Sequence, residues 1–365
     1  MLPSVDTLLE RAHVVALPLA TRFRGIETRE LLLLEGPDGW AEFSPFVEYG
    51  DAEAANWLAA AIEFGWGGIA TPGSGELDGR ALAAPATPGT PGTPGTPGRA
   101  DAEHGSPARA QPASVPVNAT VPAIPASGVP ALLARFPGCR TAKVKVAERG
   151  QTLADDVARV RAVRAELGPE GRIRVDANGG WTVEEAVVAL TELAEVGLEY
   201  AEQPCATVPE LAAVRSRLEG RVRIAADESV RKAEDPLAVA RAGAADLLVI
   251  KAQPLGGIRR AAAIVAEAGL PAVVSSALES SVGLAQGAHL AAALGLAHEA
   301  AAACGLGTAA LLAADVTAHP LVPVAGAIPV RRVVPDAALL VAHAAPPERD
   351  AWWRERLRRA HAHLG

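Results

Sequence analysis

The sequence predicts an α/β fold in which parallel strands alternate with helices and close into a barrel. Between residues 141 and 253, five short apolar runs each end in charge and precede a helical pattern. Their charged ends are Lys145, Asp176, Glu202, Asp227 and Lys251. Successive ends stand 31, 26, 25 and 24 residues apart, and one strand, loop and helix together occupy roughly 25 to 30 residues. Parallel barrels carry their functional residues at the carboxyl ends of the strands, so we expect these five side chains to meet at one mouth.

The composition sets broad limits on the class of protein. Half of the 365 residues are apolar and 21% are charged, which is ordinary for a globular protein. The net charge of −8 disfavours nucleic acid or an anionic membrane as a partner. We expect neither a membrane-spanning helix nor a secretory signal, because no apolar run reaches ~18 residues and the first residues lack a basic region. Cys139, Cys205 and Cys304 match no metal-binding spacing, so we expect reduced thiols and a cytoplasmic protein. No particular oligomeric state is predicted.

Residues 1–67 predict a smaller α+β domain. Strands are expected at 12–18 and 30–34, and a helix begins at Asp51, a plausible N-cap. Arg22, Arg24 and Arg29 lie in or near the polar turn between the strands. They are either solvated loop charges or contacts for an anionic ligand.

Residues 68–114 change composition abruptly and contain four Thr-Pro-Gly units in a row. Four units are too few for a collagen triple helix. The stretch lacks the apolar side chains that would offset the entropy of ordering it. We predict a disordered insertion without a function of its own.

The barrel is predicted to occupy residues 115–317. Its strands are expected at 115–121, 141–146, 172–177, 198–203, 222–226, 247–252, 272–281 and 301–305. Helical patterns lie at 154–167, 182–196, 208–218, 236–242, 258–268 and 282–294. A strand-like run at 328–334 and a basic helix follow. We expect Trp352 and Trp353 of that helix to pack on the small domain, although its arginines also suit a binding role.

Three of the strand ends carry carboxylates. Asp176, Glu202 and Asp227 form an all-oxygen set, which suits a hard divalent cation such as Mg²⁺. The alternative is that these carboxylates simply pair with the lysines. Three carboxylates at adjacent strand ends are costly to bury unless a cation lies among them, which favours the metal.

The lysines that flank this set are candidates for proton transfer. Side chains alternate along a strand, so Lys143 and Arg174 are expected roughly 6.6 Å below Lys145 and Asp176. A free lysine titrates near ~10.4, and both Lys143 and a cation would favour the neutral form of Lys145. Lys251 lies across the barrel. Two amines facing a metal-bound substrate suit removal of a proton α to a carboxylate.

At these residues the sequence resembles the muconate-lactonising-enzyme subgroup of the enolase superfamily. The resemblance rests on Lys-x-Lys, Asp-Ala-Asn-Gly-x-Trp, Glu-Gln-Pro, Asp-Glu-Ser and the lysine of the sixth strand. It implies a modified (β/α) TIM-type barrel with an α+β capping domain, formed from residues 1–67 and 318–365. It also implies Mg²⁺, with Mn²⁺ as a substitute, bound by Asp176, Glu202 and Asp227. The acid/base pair would be Lys145 and Lys251.

Within this subgroup, Arg174-Val-Asp and the segments at 250–257, 275–284 and 303–308 resemble the o-succinylbenzoate synthase family. This resemblance implies a hydro-lyase of menaquinone biosynthesis that acts on a small-molecule carboxylate. Its reaction is the syn dehydration of 2-succinyl-6-hydroxy-2,4-cyclohexadiene-1-carboxylate to 2-succinylbenzoate, through a metal-stabilised enediolate. Lys145 would remove the α-proton and return it to the hydroxyl, while Lys251 would act as a cation. The implied substrate-binding residues are Lys143, Arg174, Asn178, Ser275 and Gly305.

Three alternative functions would each be recognised by a different feature of the sequence. N-acylamino-acid racemases of the superfamily use the same two lysines, so that activity stays open. Dipeptide epimerases carry an Asp-x-Asp pair at the eighth strand, where this chain reads Cys-Gly-Leu-Gly-Thr. A non-catalytic barrel used as a binding scaffold would have lost a carboxylate or a lysine, and all five are present.

Overall fold

The structure is a computed structural model and describes residues 2–23, 25–69, 113–232 and 235–364. Most of the predicted insertion, residues 70–112, lies outside the described residues, as does Arg24. Among the helices of the described ranges, none combines the length and apolar character needed to cross a membrane.

The N-terminal domain is an antiparallel sheet covered by a helix. After helix α1 (Val5–Glu10), strands β1 (Ala12–Phe23), β2 (Ile26–Gly36) and β3 (Gly39–Phe43) pair in that order. Helix α2 (Asp51–Trp66) packs against β3. The four leucines at 31–34 are fully buried, so both faces of β2 are covered. The predicted strands were too short, and Gly50 rather than Asp51 is the N-cap of α2.

The C-terminal segment returns to this domain. Its helices are α11 (Ala337–Ala342) and α12 (Pro347–His361). Trp353 is fully buried edge-on against Phe43, with ring centroids 6.0 Å apart, which confirms its predicted packing. Buried Arg356 donates to the carbonyl oxygens of Phe46 (2.8 Å) and Tyr49 (2.7 Å). This arginine therefore holds a loop of the capping domain in shape.

The barrel is a parallel sheet whose strands alternate with helices. The described strands and α-helices between α2 and α11 are, in chain order, β4 (Ser114–Pro116), β5 (Ala119–Val121), α3 (Val129–Leu133), β6 (Thr141–Lys145), α4 (Leu153–Leu167), β7 (Arg172–Asp176), α5 (Val183–Ala194), β8 (Leu198–Glu202), α6 (Val208–Leu218), β9 (Ile224–Ala226), α7 (Glu228–Arg231), α8 (Ala238–Arg241), β10 (Leu247–Ile250), α9 (Ile258–Ala268), β11 (Ala272–Val274), α10 (Ser281–Ala293) and β12 (Ala327–Pro329). The sheet runs in order from β5 to β11, and all of its pairs are parallel. This confirms the predicted fold class.

The barrel closes through backbone bridges rather than a full eighth strand. Gly305 bridges Ser275, and Cys304 bridges Val117, both in parallel sense. The strand predicted at 301–305 is thus reduced to these two contacts. The strand predicted at 115–121 is divided: β4 pairs antiparallel with β12, and only β5 joins the barrel sheet. The strand predicted at 328–334 is only the short β12.

A buried polar cluster joins the two domains beside the loop that follows β11. Glu42 of β3 accepts hydrogen bonds from the backbone N–H groups of Ser280 and Gly283, both at 3.1 Å. Arg29 is also buried and donates to the Leu278 carbonyl oxygen at 3.1 Å. Arg29 is therefore neither a solvated loop charge nor a contact for an anionic ligand. Together these contacts fix the loop at 275–280 against the capping domain.

The titration of Glu42 gives a test of this interface. Burial, aided by the nearby Glu279 carboxylate, raises the pKa of Glu42 from 4.5 to about 7. Between pH 4.5 and about pH 7, Glu42 is protonated in the folded protein but ionised in the unfolded chain. The contribution of Glu42 to the free energy of unfolding therefore falls as pH rises through this range. We expect the stability of Glu42→Gln relative to the wild type to increase as pH rises from about 5 to about 8, because the variant lacks this titration.

Urea unfolding at several pH values measures this difference. Glu35→Gln, an exposed change on the same sheet, is the control and should follow the wild type throughout. A difference between Glu42→Gln and wild type that stays constant with pH would contradict the assignment.

Candidate active site

The site lies in a cavity at the carboxyl ends of the barrel strands, closed over by the capping domain. The residues that line it are Phe23, Phe46, Tyr49, Trp57, Thr120, Lys143, Lys145, Asp176, Asn178, Arg231, Lys251, Pro254, Ser275, Ser276, Ala277, Leu278, Gly305 and Thr308. Polar groups come from the barrel and most of the aromatic rings from the capping domain. The cavity therefore has a charged floor and an apolar roof.

Three carboxylates end three neighbouring strands of this floor. Asp176 is the last residue of β7, Glu202 is the last of β8, and Asp227 directly follows β9. Asp176 and Glu202 are paired in the parallel register, which places them side by side. Each of the three residues is at most 1% exposed. Such burial demands positive charge nearby.

Lysine ammonium groups supply that charge in this structure. Lys143 Nζ lies 2.8 Å from Glu202 Oε1 and 3.2 Å from Asp176 Oδ2, so it bridges the two carboxylates. Lys145 Nζ lies 2.6 Å from the same Asp176 oxygen. On the far wall, Lys251 Nζ contacts Asp227 Oδ2. Lys143 thus reaches the level of the mouth instead of staying one layer below.

The close charges shift the titration of these groups in different directions. Burial lowers the pKa of Lys145 below its ordinary value. The positive charge of Lys143 lowers this pKa further, whereas the negative charge of Asp176 raises it. Although burial opposes it, Glu202 and Asp176 raise the pKa of Lys143 above its ordinary value. Lys145 is therefore easier to deprotonate than Lys143.

The carboxylates differ as well. Burial works against ionisation of Asp227, yet Lys251 and Arg231 lower its pKa to about 2. Burial and the charge of Asp176 raise the pKa of Glu202 to about 7 despite its contact with Lys143. Glu202 is therefore harder to ionise than Asp227.

The chemistry of the three carboxylate donors fits a divalent cation. Carboxylate oxygens are the ligands that Mg²⁺ prefers. Within the described part of the chain, no three acidic, histidine or cysteine side chains stand as a formed metal site. Lysine nitrogens lie among the carboxylates instead, as in the bridge that Lys143 makes.

The residues expected to bind substrate do not all reach the cavity. Lys143, Asn178, Ser275 and Gly305 line it. Arg174 does not, because it lies deeper in the barrel, 1% exposed, and donates to Glu199 Oε2 (2.6 Å) and the Ala303 carbonyl oxygen (2.6 Å). This position favours a structural role for Arg174.

Several cavity residues escaped the sequence analysis. The rings of Phe46, Tyr49 and Trp57 come from the segment after β3 and from α2. Their signal was the concentration of aromatic residues in a chain that is only 4% aromatic. Arg231 lies four residues after Asp227 and donates to its Oδ1 at 3.0 Å, so the one-turn spacing was its signal.

Comparison with known proteins places the chain in a family. The enolase C-terminal domain-like family matches residues 131–337, and the enolase N-terminal domain-like family matches residues 14–65. Curated relatives named o-succinylbenzoate synthase include that of Mycobacterium marinum, 51% identical over 98% of this chain and 96% of the relative. That of Mycobacterium tuberculosis is 52% identical over 100% of this chain and 98% of the relative. The chain belongs to the o-succinylbenzoate synthase family of the enolase superfamily.

Solved structures of other proteins have the same fold as this o-succinylbenzoate synthase family member. The muconate lactonizing enzyme of Pseudomonas fluorescens aligns with a TM-score of 0.67 at 21% identity, over 92% of this chain and 98% of that one. The L-Ala-D/L-Glu epimerase of Bacillus subtilis aligns with a TM-score of 0.64 at 20% identity, over 87% and 94% of the two chains. These likenesses show the shared barrel and capping domain.

Crowding at Gly305 gives a test of the cavity wall. A Cβ atom there would lie 2.5 Å from Ser275 Oγ and 3.1 Å from Ser275 Cβ. We expect Gly305→Ala to displace the Ser275 hydroxyl and to lower kcat/KM roughly 10-fold or more, because small displacements of positioning groups are costly. Gly50→Ala is the control, since a Cβ meets nothing within 4 Å there. Equal kcat/KM for the two variants would contradict a role for this wall.

Proposed function

We propose that this family member is an active o-succinylbenzoate synthase. It is a lyase that removes water from 2-succinyl-6-hydroxy-2,4-cyclohexadiene-1-carboxylate to give 2-succinylbenzoate in menaquinone biosynthesis. The observation that carries the proposal is a pair of lysines, Lys145 and Lys251, on opposite walls of a cavity with three buried carboxylates between them. The identity of about 50% to named synthases over the whole chain supports it.

Enzymes of the enolase superfamily depend on Mg²⁺ in general. We propose that Asp176, Glu202 and Asp227 hold one Mg²⁺ in this chain, and that Mn²⁺ can replace it. When bound, the cation supplies positive charge opposite the charge that develops on the substrate carboxylate. Their burial at the ends of adjacent strands and the side-by-side register of Asp176 and Glu202 support this ligand set.

Lys145 is proposed as the base and acid of the dehydration. Its neutral amine takes the proton α to the substrate carboxylate, and the electrons of that C–H bond shift toward the carboxylate. The same ammonium then gives its proton to the hydroxyl group, which leaves as water while the ring becomes aromatic. One residue on one face serves both steps, as a syn elimination requires. The lowered pKa of Lys145 supports this role.

Lys251 is proposed to act by its charge. Its ammonium contacts Asp227, which has its pKa lowered to about 2, so an ionised pair is favoured here. A cation on the wall opposite Lys145 stabilises negative charge in the substrate without moving a proton.

The rest of the cavity is proposed to hold the substrate. The Ser275 hydroxyl is suited to a carboxylate, whereas the Gly305 N–H already donates to the Val274 carbonyl oxygen at 2.7 Å, so Gly305 contributes only the space that its missing side chain leaves. Lys143 and Asn178 border the reacting end. Phe46 and the other rings of the capping domain exclude water from the reacting atoms. The partner is thus a small-molecule carboxylate. The three thiols are free, which supports a cytoplasmic location.

Direct assay of the purified protein tests the function. With Mg²⁺ present, we expect loss of the cyclohexadiene substrate and formation of 2-succinylbenzoate. Efficient racemisation of N-acylamino acids without any dehydration would favour a racemase instead, since that reaction uses a base on each face.

Two lysine variants separate the proposed roles. Lys145→Ala should lower dehydration by roughly 10²–10⁴-fold and abolish exchange of the substrate α-proton with solvent, because it lacks the base. Lys251→Arg keeps a cation but, with a pKa above ~12, cannot act as a base. It should retain measurable dehydration and lose any racemisation.

Lys232→Arg is the matched control for the second variant. Lys232 lies over the Tyr49 ring at 4.7 Å and contacts none of the three carboxylates in the structure. It should keep full dehydration. The two roles would be reversed if Lys251→Arg lost dehydration while Lys145→Ala still exchanged the proton.

A further inference from the structure

Asn178 connects the amine of Lys145 to a residue outside the predicted site. Its Oδ1 accepts a hydrogen bond from Lys145 Nζ at 2.7 Å. Its Nδ2 donates to Glu228 Oε1 at 3.2 Å. The backbone of Asn178 has a φ of +47°, a conformation that asparagine adopts more readily than most residues. The two ends of one amide therefore face two different partners.

Glu228 is itself held in place by Arg231. Arg231 donates to Glu228 Oε1 at 2.6 Å, to Asp227 Oδ1 at 3.0 Å and to the Tyr49 hydroxyl of the capping domain at 3.3 Å. The Arg231 side chain is 4% exposed and that of Glu228 is 16% exposed. This pair is thus fixed from both the barrel and the capping domain.

The ion pair with Arg231 satisfies only one of the two carboxylate oxygens of Glu228. Among the described residues its Oε2 atom is buried and makes no hydrogen bond. A buried carboxylate oxygen without a partner costs free energy. This cost indicates that Glu228 has a function that requires its Oε1 atom to remain in this position.

We infer that Glu228 is a positioning residue for Lys145, acting through the amide of Asn178; this inference rests on the proposed function. A neutral amine has two N–H groups and one lone pair. Asp176 Oδ2 at 2.6 Å and Asn178 Oδ1 at 2.7 Å accept the two N–H groups. The lone pair then takes the remaining tetrahedral direction, toward the cavity.

The inverted amide would have the opposite effect. If Asn178 turned over, its NH₂ group would face Lys145 and donate to the lone pair, which would block the base. Glu228 Oε1 is a pure acceptor, so it binds the NH₂ end of Asn178 and opposes this inversion. Arg231 keeps the same oxygen in reach and donates nothing to Asn178. Glu228 thus selects the amide orientation in which Lys145 is an active base.

Glu228→Met tests this role, because methionine has similar length and accepts hydrogen bonds only weakly. We expect kcat to fall roughly 10- to 100-fold with little change in KM, since the base is misaligned while the substrate contacts remain. Glu228→Gln can still present an oxygen to Asn178 and should recover part of kcat. Glu184→Met removes a matched glutamate that pairs with Arg217 on the surface, and should behave as wild type.

A double-mutant comparison and calorimetry separate this role from a structural one. If Glu228 acts through Asn178, adding Glu228→Met to Asn178→Ala should cause no further loss of kcat. Calorimetric titration with Mg²⁺ should give the same affinity for Glu228→Met and wild type. A loss of Mg²⁺ affinity as large as the loss of kcat would overturn the inference, because Glu228 would then act through Asp227.

The remaining outcomes are also decisive. Additive losses in the double variant, or an unchanged kcat in Glu228→Met, would overturn the inference while leaving the proposed function intact. Absence of dehydration by the wild type in the same assay would instead overturn the proposed function.

Discussion

Burial of three carboxylates at adjacent strand ends is the constraint on which the rest of the site depends. An ionised carboxylate taken out of water costs several kcal/mol unless positive charge compensates it. Lys143, Lys145 and Lys251 provide that charge in the structure. The chain contains 34 lysines and arginines but only four lysines, and three of the four are these. Arginine has a pKa above ~12 and cannot become a neutral amine. Lysine at these positions balances the charge and, unlike arginine, is also suited to the proton transfer that we propose.

The capping domain completes the same site through contacts between distant parts of the chain. Arg356 of the last helix binds carbonyl oxygens of the loop that presents Phe46 and Tyr49 to the cavity. Glu42 binds the start of α10 and so steadies the loop that contains Ser275. Arg231 joins the Tyr49 hydroxyl to the carboxylate of Asp227. Hydrogen bonds therefore connect the position of the capping domain to the geometry of the charged floor.

The sequence predicted the barrel and the charged floor because both follow from local patterns. Asp176 and Glu202 end apolar runs at βα spacing, and parallel pairing then places them side by side. Other features depend on long-range contacts that no local pattern contains. Alternation placed Arg174 on the face of Asp176, but the Glu199 and Ala303 oxygens that hold it away from the cavity lie 25 and 129 residues away. The aromatic roof was missed for the same reason, since its position depends on the returning C-terminal helix.

We propose that the three carboxylates form one cation site, whose negative charge the lysines compensate until a cation binds. Calorimetric titration of the chelator-treated protein with Mg²⁺ tests it most directly. We predict one Mg²⁺ per chain for the wild type, and no measurable binding for Glu202→Gln, which keeps the side-chain shape but loses the charge. A wild-type protein that binds no Mg²⁺ and still dehydrates its substrate after exhaustive chelation would contradict the account.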